Sequence, residues 1–314
     1  MNERSVSVLT RRGFLAGASA ALLTSRNTSA GGISGDKLQV TGLQLEWLSP
    51  DLKKDFDGTL SKIASLGYRE VELVDNFGRT PEQLLTSLNA VGLRCKSRLF
   101  WIDPGSSALQ SDFANQLEFA QAMGLTYLVA LMPAPIPLAD DLKGRALAAA
   151  LDRITLDDYK RQAELLNKLG AQAQRAKIQL GYHNFNTEFR RFDGIPAYDR
   201  LLQWTDPVLV KMEMDIGWLV AGGADPVKYF RENKGRFPLV HVKDVKERDP
   251  NTVLRLKPVE VGSGIVDWSP ALSAARAAGA QIGYVEYEPE PPLERPLLES
   301  AKICIDYLRA ASRR

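Results

Sequence analysis

Histidine is nearly absent from this chain: two occur in 314 residues, His183 and His241. That scarcity weighs against a centre built on a crowd of imidazoles, such as a multi-zinc cluster. Cysteine is equally scarce. Cys95 lies in the apolar stretch LRCKSRLF and Cys304 among Ile303, Ile305 and Leu308. Both read as small buried apolar residues rather than as a disulfide framework. Charge of one sign is missing too, with 40 Lys and Arg against 38 Asp and Glu. The one apolar, small-residue stretch near the N-terminus, 16–23, falls short of the ~20 residues that a membrane-spanning helix needs.

What stands beside that stretch is a twin-arginine pattern, Thr10-Arg11-Arg12-Gly13-Phe14-Leu15, with small residues at Thr28 and Ala30 offering a cleavage point. Residues 1–30 are expected to be an export signal and 31–314 the exported, periplasmic domain, with no stable membrane anchor once the signal is gone. The signal holds Arg4, Arg11, Arg12 and Arg26 against Glu3, a net +3, so the chain's +2 becomes about −1 for the domain. A near-neutral domain lacks the basic footprint of a nucleic-acid binder. Self-association is left open.

Along the remaining chain, strand-like and helix-like segments alternate. Strands are predicted at 39–46, 70–74, 94–100, 126–132, 178–183, 209–215, 237–243 and 281–287. Runs such as YLVALM are what strands covered on both faces look like. Helix starts are marked by Thr80-Pro81-Glu82, by Thr155-Leu156-Asp157-Asp158, and by the pairs Asp225-Pro226 and Ser269-Pro270. Gly67, Gly92, Gly124 and Gly279 each stand where a helix should stop before the next strand. Eight such units predict an α/β fold, a (β/α)8 TIM barrel in a single domain. One insertion, 133–154, rich first in proline and then in alanine, is a candidate lid or pocket wall, or simply an extra surface helix.

Both histidines sit where a predicted strand gives way to polar residues. His183 follows IQLGY, His241 follows FPLV, and two further strands end on Asp215 and Glu286. In a barrel of this kind all four side chains meet at one rim, the end at which such barrels hold their sites. Carboxylates and imidazoles together suit a borderline or hard divalent cation such as Mn, Zn, Mg or Co.

The segments LGYREVEL, LGYHNFNTEF, MEMDIGWLVAGGADPVKYF, LVHVKD, VGSGIVDW and GYVEYE resemble the xylose isomerase-like, sugar phosphate isomerase/epimerase superfamily, over about residues 42–308. The resemblance implies a divalent metal held from strands five to eight, by Asp215, His241, Glu286 and, from strand five, either His183 or Glu188; His183 is taken as the ligand and Glu188 as a supporting or proton-transfer group beside it. It also implies a small carbohydrate as substrate. The superfamily includes nucleases of apurinic sites, but these need a histidine-rich zinc cluster that two histidines do not supply. Two departures stand out: Phe185 replaces a histidine common in HNH, and Ser97-Arg98 stands where strand three often ends in His. Arg98 could bind an anionic or hydroxyl-rich substrate, or pair with a rim acid.

The chemistry can be argued from the residues themselves. A cation on adjacent substrate oxygens polarises a carbonyl and acidifies the neighbouring C–H, giving an enediolate. Returning the proton isomerises or epimerises a sugar; losing a β-substituent makes a lyase. Either route needs a base near the metal, for which Glu188, Glu286 and Lys243 are candidates. Lys243 lies two residues after His241, on the same side of its strand, and is either a donor to substrate oxygens or a partner for a rim carboxylate. Glu72, at the end of strand two, reads as a rim hydrogen-bonding group for substrate. Trp101, Trp47 and Trp218 stand at or near strand ends, where aromatic faces suit the C–H faces of a sugar ring; Trp101 is the candidate for substrate binding, with half-buried packing as the alternative. Gly262 and Gly264 in VGSG read as loop glycines.

The leading expectation is therefore a divalent-metal-dependent isomerase or epimerase of a sugar or keto-sugar. The alternatives are a metal-dependent lyase or hydrolase of oxidised (3-keto) sugars or glycosides, and a catalytically inactive sugar-binding barrel. Export argues against a phosphorylated intracellular substrate. Replacing Arg11 and Arg12 by lysine should leave uncleaved precursor in the cytoplasm, read by fractionation and immunoblotting; unchanged export would overturn the signal reading.

Overall fold

A computed structural model describes residues 40–311, apart from 133, 137–143, 249–253, 255, 290 and 291. Residues 1–30, where an export signal is expected, and much of the first half of the 133–154 insertion lie outside the described residues. No helix among the described residues is long and apolar enough to cross a membrane.

Eight parallel strands close into a barrel: β1 (Gly42–Gln44), β2 (Glu70–Leu73), β3 (Arg94–Trp101), β4 (Tyr127–Leu131), β5 (Gln179–His183), β6 (Val210–Asp215), β7 (Leu239–Val242) and β8 (Ile282–Val285). Each pairs with the next, and β8 closes on β1 through Gly42↔Tyr284 and Leu43↔Val285. All eight predicted strands are present; β3 runs one residue further than predicted and the other seven are shorter, β1 most of all.

The main helices between and after the strands are α1 (Phe56–Leu66), α2 (Pro81–Ala90), α3 (Leu109–Met123), α4 (Leu156–Arg175), α5 (Ala197–Trp204), α6 (Pro226–Glu232), α7 (Trp268–Ala277) and α8 (Leu297–Ala311). Thr80 and Thr155 make full capping boxes with Gln83 and Asp158. Asp225 caps α6 by accepting from Val227 N at 2.9 Å. The Ser269-Pro270 pair does not start its helix; α7 begins one residue earlier, after Asp267, so the serine sits inside the first turn. Of the insertion, the second half forms a short helix, Gly144–Asp152. Both cysteines are free, and burial pushes each thiol up to about 12.

Two apolar layers result. The larger lies between barrel and helices, where α4 contributes Tyr159, Ala163, Leu166, Leu169 and Ala173 at helical spacing. The smaller fills the barrel itself with Leu99, Tyr127, Val129, Leu131, Leu239, Ile282 and Tyr284, and continues to Phe185 and Trp218 just beyond the strand ends. The next inward positions along β2, β6, β7 and β8 carry acids, histidine and lysine, so a polar layer lies above the apolar plug.

Barrel closure depends on a close backbone approach. A Cβ on Gly42 would stand 2.5 Å from Gly283 O and 2.5 Å from the Tyr284 ring. Gly42→Ala should therefore lower unfolding stability by about 1–3 kcal/mol through overpacking, measured by urea denaturation; an unchanged midpoint would show that the seam can relax.

Candidate metal centre

Strand register assembles the polar layer. β5 pairs His183 with Glu213 of β6, and β6 pairs Asp215 with His241 of β7. Glu286 follows β8 and is tied to β7 by its own amide, which donates to Val242 O at 3.3 Å. One ligand atom each from His183, Asp215, His241 and Glu286 can be chosen so that all lie within 4.8 Å of one another, and all four residues are buried. The four strand-end residues picked out in the sequence are thus brought together.

Each is aimed by a specific contact. Asp215 spends one oxygen on the cap of the short helix Ile216–Ala221, where Trp218 N donates to Oδ1 at 2.7 Å. Its main chain is clamped by Asn184, whose side chain accepts from Asp215 N at 3.0 Å and donates to Asp215 O at 3.1 Å. The free Oδ2 stands 3.5 Å from His183 Nε2 and 3.4 Å from Lys243 Nζ. His241 lies between two carboxylates, with Nδ1 2.7 Å from Glu286 Oε2 and Nε2 2.6 Å from Glu72 Oε2.

The electrostatics follow from burial and crowding. Burial alone would discharge the His241 imidazole, yet Glu213, Glu286 and Glu72 together hold its pKa well above the ordinary histidine value. Lys243 behaves likewise: burial pulls it down, and Glu286, Glu288 and Asp215 push it well above the ordinary lysine value. Burial also raises Glu286, but Lys243 and His241 outweigh it and hold this carboxyl well below the usual range. Glu213 is pushed the other way, to about 8, by burial and by the nearby Glu72.

A divalent cation fits this donor set. Both nitrogens of His183 and Oδ2 of Asp215 are buried without a hydrogen-bond partner, an expensive arrangement unless something else binds them. They belong to the same four-residue group as the His241 ring and the Glu286 carboxylate.

The remaining expected residues divide. Lys243 is at the centre, its Nζ 2.9 Å from Glu286 Oε2 and 2.8 Å from Glu288 Oε2. Of the two roles weighed for it, the structure shows the carboxylate partner. Its elevated pKa, set by the Glu286, Glu288 and Asp215 carboxylates, keeps the side chain a charged hydrogen-bond donor. Glu72 is fully buried in the barrel, and the partner the structure gives it is the imidazole of His241, 2.6 Å away.

Arg98 faces away from the barrel interior. The β2–β3 register shifts between Val71 and Glu72, so Ser97 pairs with Glu72 and Arg98 with Leu73. The one-residue slip turns Arg98 to the outer face, where Nε donates to Gln116 Oε1 at 3.0 Å and the guanidinium lies over Phe119. It meets neither substrate space nor a rim acid.

Glu188 is likewise displaced from the expected proton-transfer role. Its carboxylate accepts from Tyr182 Oη at 2.5 Å, from Phe185 N at 3.0 Å and from Thr187 Oγ1 at 2.7 Å. Tyr182 in turn accepts from Gln162 of α4 at 2.9 Å. The loop does fold back, as its length allows, but onto the helix layer, where Glu188 anchors the turn that presents Phe185. Trp101 stands at the end of β3 with its ring on Phe185.

Sequence reasoning passed over Glu213, Glu288 and Asn184. Glu213 and Glu288 each lie two residues from a chosen ligand on an extended segment, so strand parity was the available signal. Asp244, noticed only as part of HVKD, is a buried hub accepting from Gly262 N at 2.9 Å, Gly264 N at 3.1 Å and Trp268 Nε1 at 2.9 Å. Gly262 and Gly264 are loop glycines, as read; a Cβ on Gly264 would lie 2.1 Å from Asp244 Oδ1.

Comparison with known proteins bears on the family and the fold. The family model for the xylose isomerase-like TIM barrel matches residues 60–310. An inosose dehydratase of Lacticaseibacillus casei is 26% identical over 274 residues, covering 79% of this chain and 87% of the relative. One from Clostridium tetani is 24% identical, covering 83% and 93%. Among solved structures, a sugar phosphate isomerase/epimerase from Parabacteroides distasonis superposes with a TM-score of 0.68 at 22% identity, covering 92% of this chain and 98% of its own. The IolI protein, solved with a zinc atom, gives 0.68 at 14% identity, covering 88% and 98%. These structures share the fold.

Glu188→Gln should lower stability by about 1–3 kcal/mol, because buried hydrogen bonds to a charged acceptor are weakened, while leaving metal content unchanged. Chemical denaturation and elemental analysis of one preparation check this; loss of metal at full stability would return Glu188 to the site.

Proposed function

We propose that this chain, which belongs to the xylose isomerase-like TIM barrel family, is a divalent-metal-dependent lyase that eliminates a β-substituent from a keto-sugar through an enediolate. The observation that carries the reading is the buried set His183, Asp215, His241 and Glu286 with its unpartnered donor atoms. The resemblance to inosose dehydratases, whose name specifies loss of water from a keto-sugar, favours elimination over isomerisation. The zinc atom bound by the IolI protein, which shares the fold, is in keeping with a divalent cation.

When bound, the cation would polarise the substrate carbonyl and favour ionisation of the adjacent C–H. The chain's own residues supply the rest. His241 presents one ring nitrogen toward Glu286 and Asp215, and Glu72 on the other nitrogen fixes the ring and its tautomer. Lys243, held by Glu286 and Glu288, is a positioned ammonium able to give a proton to a departing oxygen. Glu288, the half-exposed partner of Lys243, stands at the mouth and is the carboxylate best placed to take the proton from carbon. Elimination balances with this pair: the C–H and C–O bonds break, a C=C bond forms, one proton goes to Glu288 and another leaves Lys243 with the alcohol or water. Export by the twin-arginine route, resting on Arg11 and Arg12, belongs to the same proposal.

Asp215→Asn, His241→Ala and Glu286→Gln should each lose bound metal by elemental analysis. Turnover of an inosose-type keto-sugar, followed by ultraviolet absorbance of the unsaturated product, should fall by at least about 10²-fold, the scale of a lost ligand or its outer support. Full metal occupancy in all three variants would overturn the site. Solvent-deuterium exchange into the sugar without elimination would instead make the chain an isomerase or epimerase.

A further inference from the structure

Trp101 is the last residue of β3 and is 62% exposed, among the most exposed large apolar side chains of the described residues. Its main chain is not a mobile tip. Trp101 pairs in register with Leu131 of β4, and the following Ile102 N donates to Leu131 O at 2.9 Å. A rigid strand end therefore holds a large indole in water, where a folded protein gains nothing from leaving it.

The ring is the outer member of a continuous aromatic series. Trp101 stacks on Phe185 at 6.4 Å with the planes 28° apart. Phe185 stands 5.6 Å from Trp218 and meets the His183 imidazole edge-on at 5.1 Å. Trp218 in turn lies under the Lys243 ammonium at 5.3 Å. The series begins in solvent and ends on His183 and Lys243. Phe185 is what makes it continuous: the residue that replaces a common histidine supplies the apolar surface on which Trp101 rests. The turn carrying Phe185 is fixed by Glu188, which accepts from Phe185 N.

We propose that the exposed face of Trp101 is a binding subsite for a second sugar ring, so that the substrate is a glycoside of at least two rings. This rests on the lyase reading for the position of the first ring. Phe185 packs on both Trp101 and His183, with ring centroids 6.4 and 5.1 Å away, so the exposed indole offers its face to a ring that extends from the cluster toward solvent. Pyranoses present flat faces of C–H groups, and an indole fixed on a strand offers a large rigid surface for them at little entropic cost. With such a substrate, the group expelled by elimination is a second sugar rather than water: the C–H and glycosidic C–O bonds break, C=C forms, Glu288 takes the proton from carbon, and the second sugar leaves through a hydroxyl that carries the proton from Lys243.

The test is a binding measurement on metal-loaded protein that requires no turnover. Titration calorimetry with cellobiose and with methyl β-glucoside should show the two-ring sugar binding at least about tenfold more tightly, a difference of about 1.4 kcal/mol. Trp101→Ala, at an exposed position, should fold normally and erase that preference, while Trp101→Phe should keep most of it. Equal affinity of the two sugars in the wild type, or a preference that survives Trp101→Ala, overturns the proposal. A preference that depends on Trp101, with no elimination from any keto-sugar, upholds the subsite and sinks the lyase reading alone.

Discussion

Five carboxylates, those of Glu72, Glu213, Asp215, Glu286 and Glu288, converge at one end of the barrel around one ammonium and two imidazoles. Four of the five acids are almost wholly inaccessible to water. Removing that many like charges from water costs far more than a small domain's net stability unless positive charge compensates. The protein compensates in three ways. Lys243 is shared among Glu286, Glu288 and Asp215; His241 bridges Glu286 and Glu72; and Glu213, crowded by Glu72, is driven toward its neutral form. Under the proposed function a divalent cation completes the balance. His241 must then give up a proton to bind it, so metal and proton compete for one imidazole.

Much of the surrounding structure keeps these groups from relaxing toward one another or toward solvent. Asp215 cannot swing, because its Oδ1 caps a helix and its main chain is clamped by Asn184. Asp244 gathers the amides of the 262–266 loop and the Trp268 indole onto one buried carboxylate, holding the segment after β7 in place. Beneath lies the apolar plug of Tyr127, Val129, Leu239, Ile282 and Tyr284, which gives the polar layer a floor that excludes water. Low dielectric below and crowded charge above make each remaining contact count for more.

The eight strands and the four central residues were legible because both depend on local rules. Two-sided burial makes strands read as apolar runs, and the side chain at the end of such a run projects from the barrel's rim. The helix starts at Thr80 and Thr155 depend on local residue types and spacing and were equally readable, although the reciprocal bond from Gln83 that makes Thr80 a full capping box was not. What failed depends on register and loop direction. Arg98 was placed at a strand end, but the bulge opposite Glu72 turned it outward, and no feature of RCKSRLF announces that slip. Glu188 lies a fixed five residues after His183, a distance that allows the loop to fold toward the barrel mouth or toward the helices. Tyr182 and Thr187 chose the helices. Glu213 was overlooked although strand parity puts it on the same face as Asp215.

Isomerisation and elimination share their first half, since each removes a proton beside a carbonyl and needs the resulting negative charge held. They diverge in what the enediolate meets next. An isomerase must hand the proton back to a neighbouring carbon, and an epimerase must do so from the opposite face, which calls for a second group free to move protons. Glu188 would have been that group, and its carboxylate is occupied by Tyr182, Phe185 and Thr187. What the cluster offers in its place is a single ammonium, Lys243, pinned between carboxylates. A fixed ammonium is better suited to protonating an oxygen that is leaving than to returning a proton to carbon, because an oxygen's lone pair accepts without rehybridisation at a ring atom. The elimination reading thus rests on the inventory of proton-transfer groups in the barrel mouth as well as on kinship.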